Sequence, residues 1–299
     1  MIIKDEFIIL PNNIVQNIKF EGKDKLSYIQ LYGKRTVSYI MNLIKLQNIN
    51  NDINFSVDMI LWMNRLEGVK REKKYFKDFL FAMHKDNLIE LNSNIDSGLG
   101  SGDFMIGKLG IYEYNTNGEF INCFKFTYSE YNTIMDNCNG KLDKYNLLNL
   151  YCNIKSRIRR NSKATSFSER ELEICYPSYE TIKSDISIES DKTLKQYIDA
   201  LVEMNLIRFR CAGDMILSIE GSQPIRKKAN FIYALYSSLW EEDLKESISL
   251  FKNRKITLGW RFLTKDEEES ANNKRSVTQK TNMLEKWNTT KNKREEDEE

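Results

Sequence analysis

Apolar residues in this chain recur in blocks at three- and four-residue spacing, separated by shorter alternating runs. Residues 34–47 place Val37, Ile40, Met41 and Ile44 on one side, which predicts an amphipathic helix. A second helical block follows, with Ser56 as its N-cap, Asp58 in its first turn and Gly68 as its stop. A third spans 69–87. Phe76, Phe79, Leu80 and Met83 form its inner stripe, and Lys70, Arg71, Lys73, Lys74 and Lys77 lie mainly on the other side. Strands are predicted over 88–91, 104–114 and 119–126, the latter two joined by a turn at Asn117-Gly118. Between the first two, the Gly/Ser/Asp-rich run 93–103 reads as a flexible loop tip.

The same order then returns. Residues 144–161 predict an amphipathic helix with Leu147, Leu148, Tyr151 and Ile154 on one face and Lys155, Arg157, Arg159 and Arg160 towards its end. A polar connector, 166–178, leads to a short helix capped by Ser178 and a longer one capped by Ser190. Residues 206–221 read as a hairpin turning at Ala212-Gly213-Asp214, and 225–253 as one more helix with Phe231, Ile232, Leu235, Leu239 and Leu244 as its apolar face. Pro11 is expected to end the first strand, Pro177 to precede a helix and Pro224 to follow the last strand of the second domain. From 264 the chain is charged and glycine-free, with eight Lys/Arg and ten Asp/Glu, and reads as a disordered tail. The cluster Met283, Leu284 and Trp287 within it is a solvated stretch or a short partner-binding motif.

Composition narrows the chemistry. A length of 299 residues, 41% hydrophobic, suffices for two packed domains. No run approaches the roughly 18 apolar residues of a membrane span, and residues 1–10 lack the pattern of a signal peptide, so a cytoplasmic protein is expected. Five cysteines without a CxxC pair argue for free thiols over disulfides or zinc. The single histidine, His84, reads as a helix-end residue and removes HExxH sites and the two-histidine metal site of rolling-circle nickases. There is no GxxxxGK[ST] loop and no clustered Asp/Glu–Lys signature of a carboxylate nuclease. The expectation is therefore no enzyme, no cofactor and no metal. The net charge of +2 points to no partner by itself, but a local basic face suffices for phosphate contact.

The densest signal lies between Pro177 and Ile219. A short helix and a second amphipathic one, with a tight turn between them, form a helix-turn-helix. Leu194, Ile198 and Leu201 turn to the core and meet Ile182 and Ile186. Ser190, Lys192, Thr193, Lys195, Gln196 and Asp199 are left outward or at the helix start. Lys and Gln suit base edges, and a capped helix N-terminus suits a phosphate. By the period-two rule Arg208 and Arg210 share one face of the following strand, opposite Phe209.

Pro177-Ser178, Ile182, Ser190, Thr193-Leu194, Tyr197-Ile198, Leu201 and Leu206-Ile207 together resemble the winged-helix family of bacterial DNA-binding proteins. Asn205 stands where that family usually has glycine, and asparagine tolerates the left-handed conformation. By order of elements, the whole chain resembles the two-winged-helix replication initiators of plasmids and phages from low-GC bacteria. The resemblance implies an α+β fold, mostly α. It has two tandem winged-helix domains (1–140 and 141–222), a helical extension (223–263) and a disordered charged tail (264–299). It also implies that the second domain makes the main origin contacts, through Lys192, Lys195, Gln196, Arg208 and Arg210. The first would assist with DNA, through Lys70, Arg71, Lys73, Lys74 and Lys77, or with dimerisation. The partners implied are double-stranded DNA, a second copy of the chain and a host helicase or helicase loader. Two other readings stay open: a transcriptional regulator with the same reader, and an adaptor whose winged helices bind proteins. The run 155–161 has two roles available, complementing its helix dipole or contacting phosphate.

Overall fold

A computed structural model describes residues 6–20, 23–66, 70–92, 100, 102–138, 140–158, 173–218, 223–237 and 239–267. The expected tail from 268 on, residues 93–99 and Ser101 of the expected loop 93–103, Gly68, and Arg159 and Arg160 lie outside them. The fold is α+β.

In chain order, β1 (Phe7–Pro11) and a 3-10 turn (Asn12–Ile14) lead to β2 (Ile18–Phe20), β3 (Lys23–Lys25) and α1 (Tyr28–Tyr32). Next come α2 (Thr36–Lys45), β4 (Ile53–Phe55), α3 (Val57–Met63), α4 (Lys70–Lys85), β5 (Ile89–Leu91) and β6 (Met105–Leu109). The turn at Gly118 occurs as expected, but the hairpin it joins is only β7 (Glu113–Tyr114) and β8 (Phe120–Ile121), because β6 pairs with β4 and β5, and the following β9 (Cys123–Thr127), which leads into α5 (Tyr128–Asn137), pairs with β1. Then come α6 (Lys144–Arg157), β10 (Ile174–Cys175), α7 (Tyr179–Ile186), α8 (Asp191–Glu203), β11 (Ile207–Cys211), β12 (Asp214–Leu217) and β13 (Ile225–Lys228). The chain continues through β14 (Phe231–Leu235), α9 (Trp240–Thr257) and β15 (Trp260–Phe262).

One topology occurs twice. The series α2–β4–α3–α4–β5–β6 has the sheet order β4-β6-β5, and α6–β10–α7–α8–β11–β14 has the sheet order β10-β14-β11. Each is helix, strand, helix, helix, strand, strand, with the last strand in the middle of the sheet; in the second series β12 and β13 are inserted between the last two strands. The local chemistry repeats as well. Ser56 and Ser178 cap the second helix of each series, accepting the amides of Met59 and Thr181 at 3.2 and 3.1 Å. The third helices end alike. Asn87 and Asn205 both adopt φ 57°, and the amides of Leu88 and Leu206 reach back to the Met83 and Leu201 carbonyls at 2.8 and 3.0 Å. This is a left-handed helix stop, and Asn-Leu-Ile performs it at 87–89 and again at 205–207. Counted back from these stops, Phe76, Phe79, Leu80 and Met83 correspond to Leu194, Tyr197, Ile198 and Leu201, and all eight are buried.

The chain divides into two compact units: Met1–Arg210 with Phe231–Leu244, and Cys211–Asn230 with Lys245–Glu299. Both series fall in the first unit apart from Cys211, so the domain boundary expected at 140/141 lies inside a single body. The reason is α6, which is buried nearly all round instead of amphipathic. Leu147, Leu148, Leu150, Tyr151, Cys152 and Ile154 are at most 1% exposed and join one continuous core with residues of both series. Burial of such side chains stabilises by about 1.5–3 kcal/mol each. Polar groups lock the same junction. Asn149 donates to the Lys34 carbonyl at 2.9 Å, Asn153 to the Val15 carbonyl at 2.5 Å and Gln16 to Ser156 at 2.7 Å. Asp185, 2% exposed, accepts the Asn17 amide at 3.0 Å and Asn153 at 2.8 Å, and pairs with Arg157. Buried acceptors satisfied this fully hold one geometry.

The second unit has its own small core. Ala212, Met215 and Ala229 pack with Ile248, Phe251, Trp260 and Phe262 beneath the sheet β13-β12-β15.

Three expectations are corrected here. The hairpin turning at Ala212-Gly213-Asp214 does not form: β11 pairs with β14, whereas β12 pairs with β13 and β15. Phe209 packs on Phe231 and Tyr233 at centroid distances of 5.2 and 6.0 Å, and that aromatic burial selects the partner. Residues 225–235 are therefore strands, and the helix begins only at Trp240. Pro224 accordingly precedes a strand instead of following the last one. By contrast, the strand at Pro11 and the helix capped after Pro177 occur as expected.

Candidate nucleic-acid interface

The third helices α4 and α8 present the candidate contact residues. In α8, burial of Leu194, Ile198 and Leu201 leaves Lys192, Lys195, Gln196 and Asp199 exposed, with Thr193 half-buried. Ser190 is exposed and accepts the Thr193 amide at 3.5 Å, so its hydroxyl marks the helix start as expected. Beside it Lys183 pairs with Asp191 at 2.5 Å.

In α4, Lys70, Arg71 and Lys74 are exposed, while Lys73 and Lys77 are half-buried. Lys73 pairs with Asp58 at 2.7 Å. Arg71 lies over the Tyr75 ring, 5.1 Å from its centroid, and its Nε donates to the Tyr75 hydroxyl at 2.5 Å. Glu72, 7% exposed, is turned inward to Arg35 at 2.7 Å and is lost to the outer face. Aligned on the shared helix stop, Lys74 corresponds to Lys192 and Lys77 to Lys195. Both third helices thus carry lysine at the same two positions, exposed at Lys74, Lys192 and Lys195 and half-buried at Lys77.

The helices differ elsewhere. From Lys70 to Lys85, α4 holds six Lys/Arg and two Asp/Glu; from Asp191 to Glu203, α8 holds two and three. Lys73 and Lys85 of α4 stand where α8 has Asp191 and Glu203, and the three further residues at the start of α4 add Lys70 and Arg71 beside the inward-turned Glu72. At the far end of α4, His84 occupies the last turn beside Ile89, whose carbonyl is 3.1 Å from Nδ1, in keeping with a helix-end role.

Arg208 and Arg210 lie on β11 but do different things. Arg208 is half-buried; its Nη1 donates to the Val202 and Ile207 carbonyls at 2.9 and 2.8 Å, and its Nη2 to Asn205 at 2.5 Å. Its guanidinium rests 4.5 Å from the Tyr236 ring centroid and 5.6 Å from that of Trp240. It binds the end of α8, so as a DNA contact it first has to leave these acceptors. Arg210 is exposed and pairs with Glu241 at 3.3 Å.

The basic run ending α6 includes Lys155 and Arg157. Lys155 is 5% exposed and pairs with Glu130; Arg157 pairs with Asp185. Both lie in the last turn of α6, where the dipole role places them, and both are tied to acids distant in sequence; burial removes Lys155 from phosphate contact. At the opposite end of the helix Asp143 caps α6, accepting the amides of Tyr145 and Asn146 at 2.9 and 3.1 Å. Burial opposes ionisation of Asp143, but Lys34 and these two amides outweigh it and hold the carboxyl below its ordinary value.

All five cysteines are free thiols, buried or half-buried. Burial pushes Cys152 and Cys175 up, the latter to about 12, which disfavours the reactive thiolate. Among the described residues no group of three or more His, Cys, Asp or Glu is placed to hold a metal ion, and no helix is long and apolar enough to cross a membrane. A comparison of the sequence with protein-family models and with curated proteins finds no match.

Proposed function

We propose that this chain is a sequence-specific double-stranded-DNA-binding protein with two winged-helix readers. The observation that carries this reading is the twice-used topology of helix, strand, helix, helix, strand, strand, with lysines at equivalent positions of both third helices. In such a module the third helix enters the major groove and the strands flank it. In this assignment α8, with Lys192, Lys195, Gln196 and the Ser190–Thr193 start, reads base edges. Helix α4, with Lys70, Arg71, Lys74 and Lys77, supplies most of the phosphate attraction.

Within this reading the role is replication initiation in the cytoplasm. The partners are origin repeats, a host helicase or its loader, and a second copy of the chain. Two readers on one core suit repeated half-sites at fixed spacing. A transcriptional regulator uses the same reader on a promoter palindrome. The adaptor reading has one observation of its own, the acidic balance of α8, where Asp199 and Glu203 share the exposed side with the lysines.

The test is fluorescence anisotropy of the full chain on tiled duplexes from the DNA flanking its gene, at several salt concentrations. Tight, salt-dependent binding to one tile is expected. Direct repeats beside an AT-rich stretch in that tile point to initiation, and a lone palindrome to regulation. Flat curves on every tile favour the adaptor.

A further inference from the structure

Positive charge is unevenly divided along the chain. Among the described residues, the unit Met1–Arg210 with Phe231–Leu244 holds equal numbers of Lys/Arg and Asp/Glu, whereas the other unit holds nine Lys/Arg against four Asp/Glu. Two of the nine, Arg254 and Lys255, sit in the last turn of α9, where cations complement the helix dipole. That explanation does not extend to the cations on the strands.

The strand register places those cations. Asp214 faces Lys228, while Ile216 faces Arg226 on one side and Arg261 on the other. Cross-strand partners share a face, so Lys228, Arg226 and Arg261 lie together on one side of β13-β12-β15. The opposite side carries Met215 and Phe262, which pack in the unit's core. Arg226 donates to Asp214 through Nε at 3.1 Å and Nη2 at 2.6 Å, so the acid of this face is already compensated. Arg261 is exposed and pairs with Glu267 at 2.9 Å; Lys228 is exposed.

We infer that the Arg226–Lys228–Arg261 face of this sheet is a further nucleic-acid site, one that takes the phosphate backbone of a duplex; this rests on the DNA-binding reading above. Neighbouring strands are about 4.8 Å apart, so the cations form a spread, flat array on a rigid sheet. The apolar member of the row, Ile216, is half-buried and offers no pocket for a side-chain anchor. Such an array matches a polyanion of regular charge better than an acidic protein segment, whose recognition relies on buried anchors.

The test is the double variant Lys228→Ala, Arg261→Ala, compared with the wild-type chain on the tile that binds best. Each lost phosphate contact lowers the salt slope by about 0.9 and, at 0.1 M salt, the affinity about eightfold. The double variant is expected to lose about 2 from the slope and roughly 60-fold in affinity at an unchanged melting temperature. Wild-type slope and affinity in this variant, while Lys70→Ala, Arg71→Ala, Lys74→Ala lowers both, would overturn the site and leave the DNA reading standing. So would a loss confined to binding of polyglutamate, which would assign the face to acidic protein. No binding of wild type to any duplex would end the DNA reading and this site with it.

Discussion

The two copies of the repeated topology differ where they would meet a partner and agree where they meet the core. Helices α4 and α8 bury four equivalent apolar side chains and stop at the same asparagine, yet six Lys/Arg outnumber two acids on one, and three acids outnumber two lysines on the other. The inner face is constrained by packing, because a void or an excess methylene costs stability directly. The outer face answers only to water and to whatever binds there. Under the DNA-binding proposal, that difference in charge assigns attraction to α4 and discrimination to α8. A further contrast follows the shared stop. Glu90 in the first copy stands where Arg208 stands in the second, and Arg208 alone fastens its helix end to the adjoining strand.

The largest effect is expected from separating the copies. Asp185→Ala leaves Arg157 without its carboxylate and takes an acceptor from the Asn17 amide and from Asn153, which should cost about 3 kcal/mol or more. Thermal and urea unfolding should stay a single transition for the Met1–Arg210 unit, shifted as a whole. An isolated early melt of the second copy would break the claim of one core.

Arg208→Ala should cost about 1.5–3 kcal/mol through the freed carbonyls, and Arg208→Lys should recover little, because an ammonium cannot span three acceptors and two rings. Glu90→Ala, the equivalent change in the first copy, should be near neutral in the same melts, since Glu90 is exposed.

Gln196→Ala should weaken the best duplex by about 1–3 kcal/mol and leave random duplexes unchanged, if α8 discriminates between bases. Equal loss on both would make Gln196 a non-specific contact.

The smallest effect concerns the cap at Asp143. Asp143→Ala should cost about 1 kcal/mol. The folded carboxyl titrates below its unfolded value, so its contribution is present at neutral pH and disappears as pH falls through the folded value, below about pH 4. Asp143→Asn keeps a capping oxygen and should flatten that part of the acid-unfolding curve. An unchanged curve would show that the Lys34 pair adds nothing.

Much of the first unit was legible in the sequence. Helical spacing located α2, α4, α6, α7 and α8, and the serine caps fixed where several begin, because local hydrogen bonding and a one-sided apolar stripe leave a periodic trace. The exposed faces of α4 and α8 followed from the same stripes. Strands β4 and β10, of three and two residues, are too short to show alternation, although each completes its sheet. Asn-Leu-Ile at 87–89 and 205–207 was the readable sign that the third helices end alike. The run 231–235 misleads because a strand buried on most of its length has no polar face, so Phe231, Ile232 and Leu235 fit helical spacing equally well. The burial of Lys155 and Arg157 was hidden for another reason: Glu130 and Asp185 are distant in sequence, and only the fold brings them near.

The most direct test of the division of labour is the salt dependence of binding to the best tile by two variants. The triple variant Lys70→Ala, Arg71→Ala, Lys74→Ala should lower the slope by about 2.7 and weaken cognate and random duplexes alike. Lys192→Ala with Lys195→Ala should lower it by no more than about 1.8 and mainly erode the preference for the cognate tile. Unchanged slopes in both variants, on a tile that wild type binds tightly, would contradict the assignment of α4 and α8 as the DNA-facing helices.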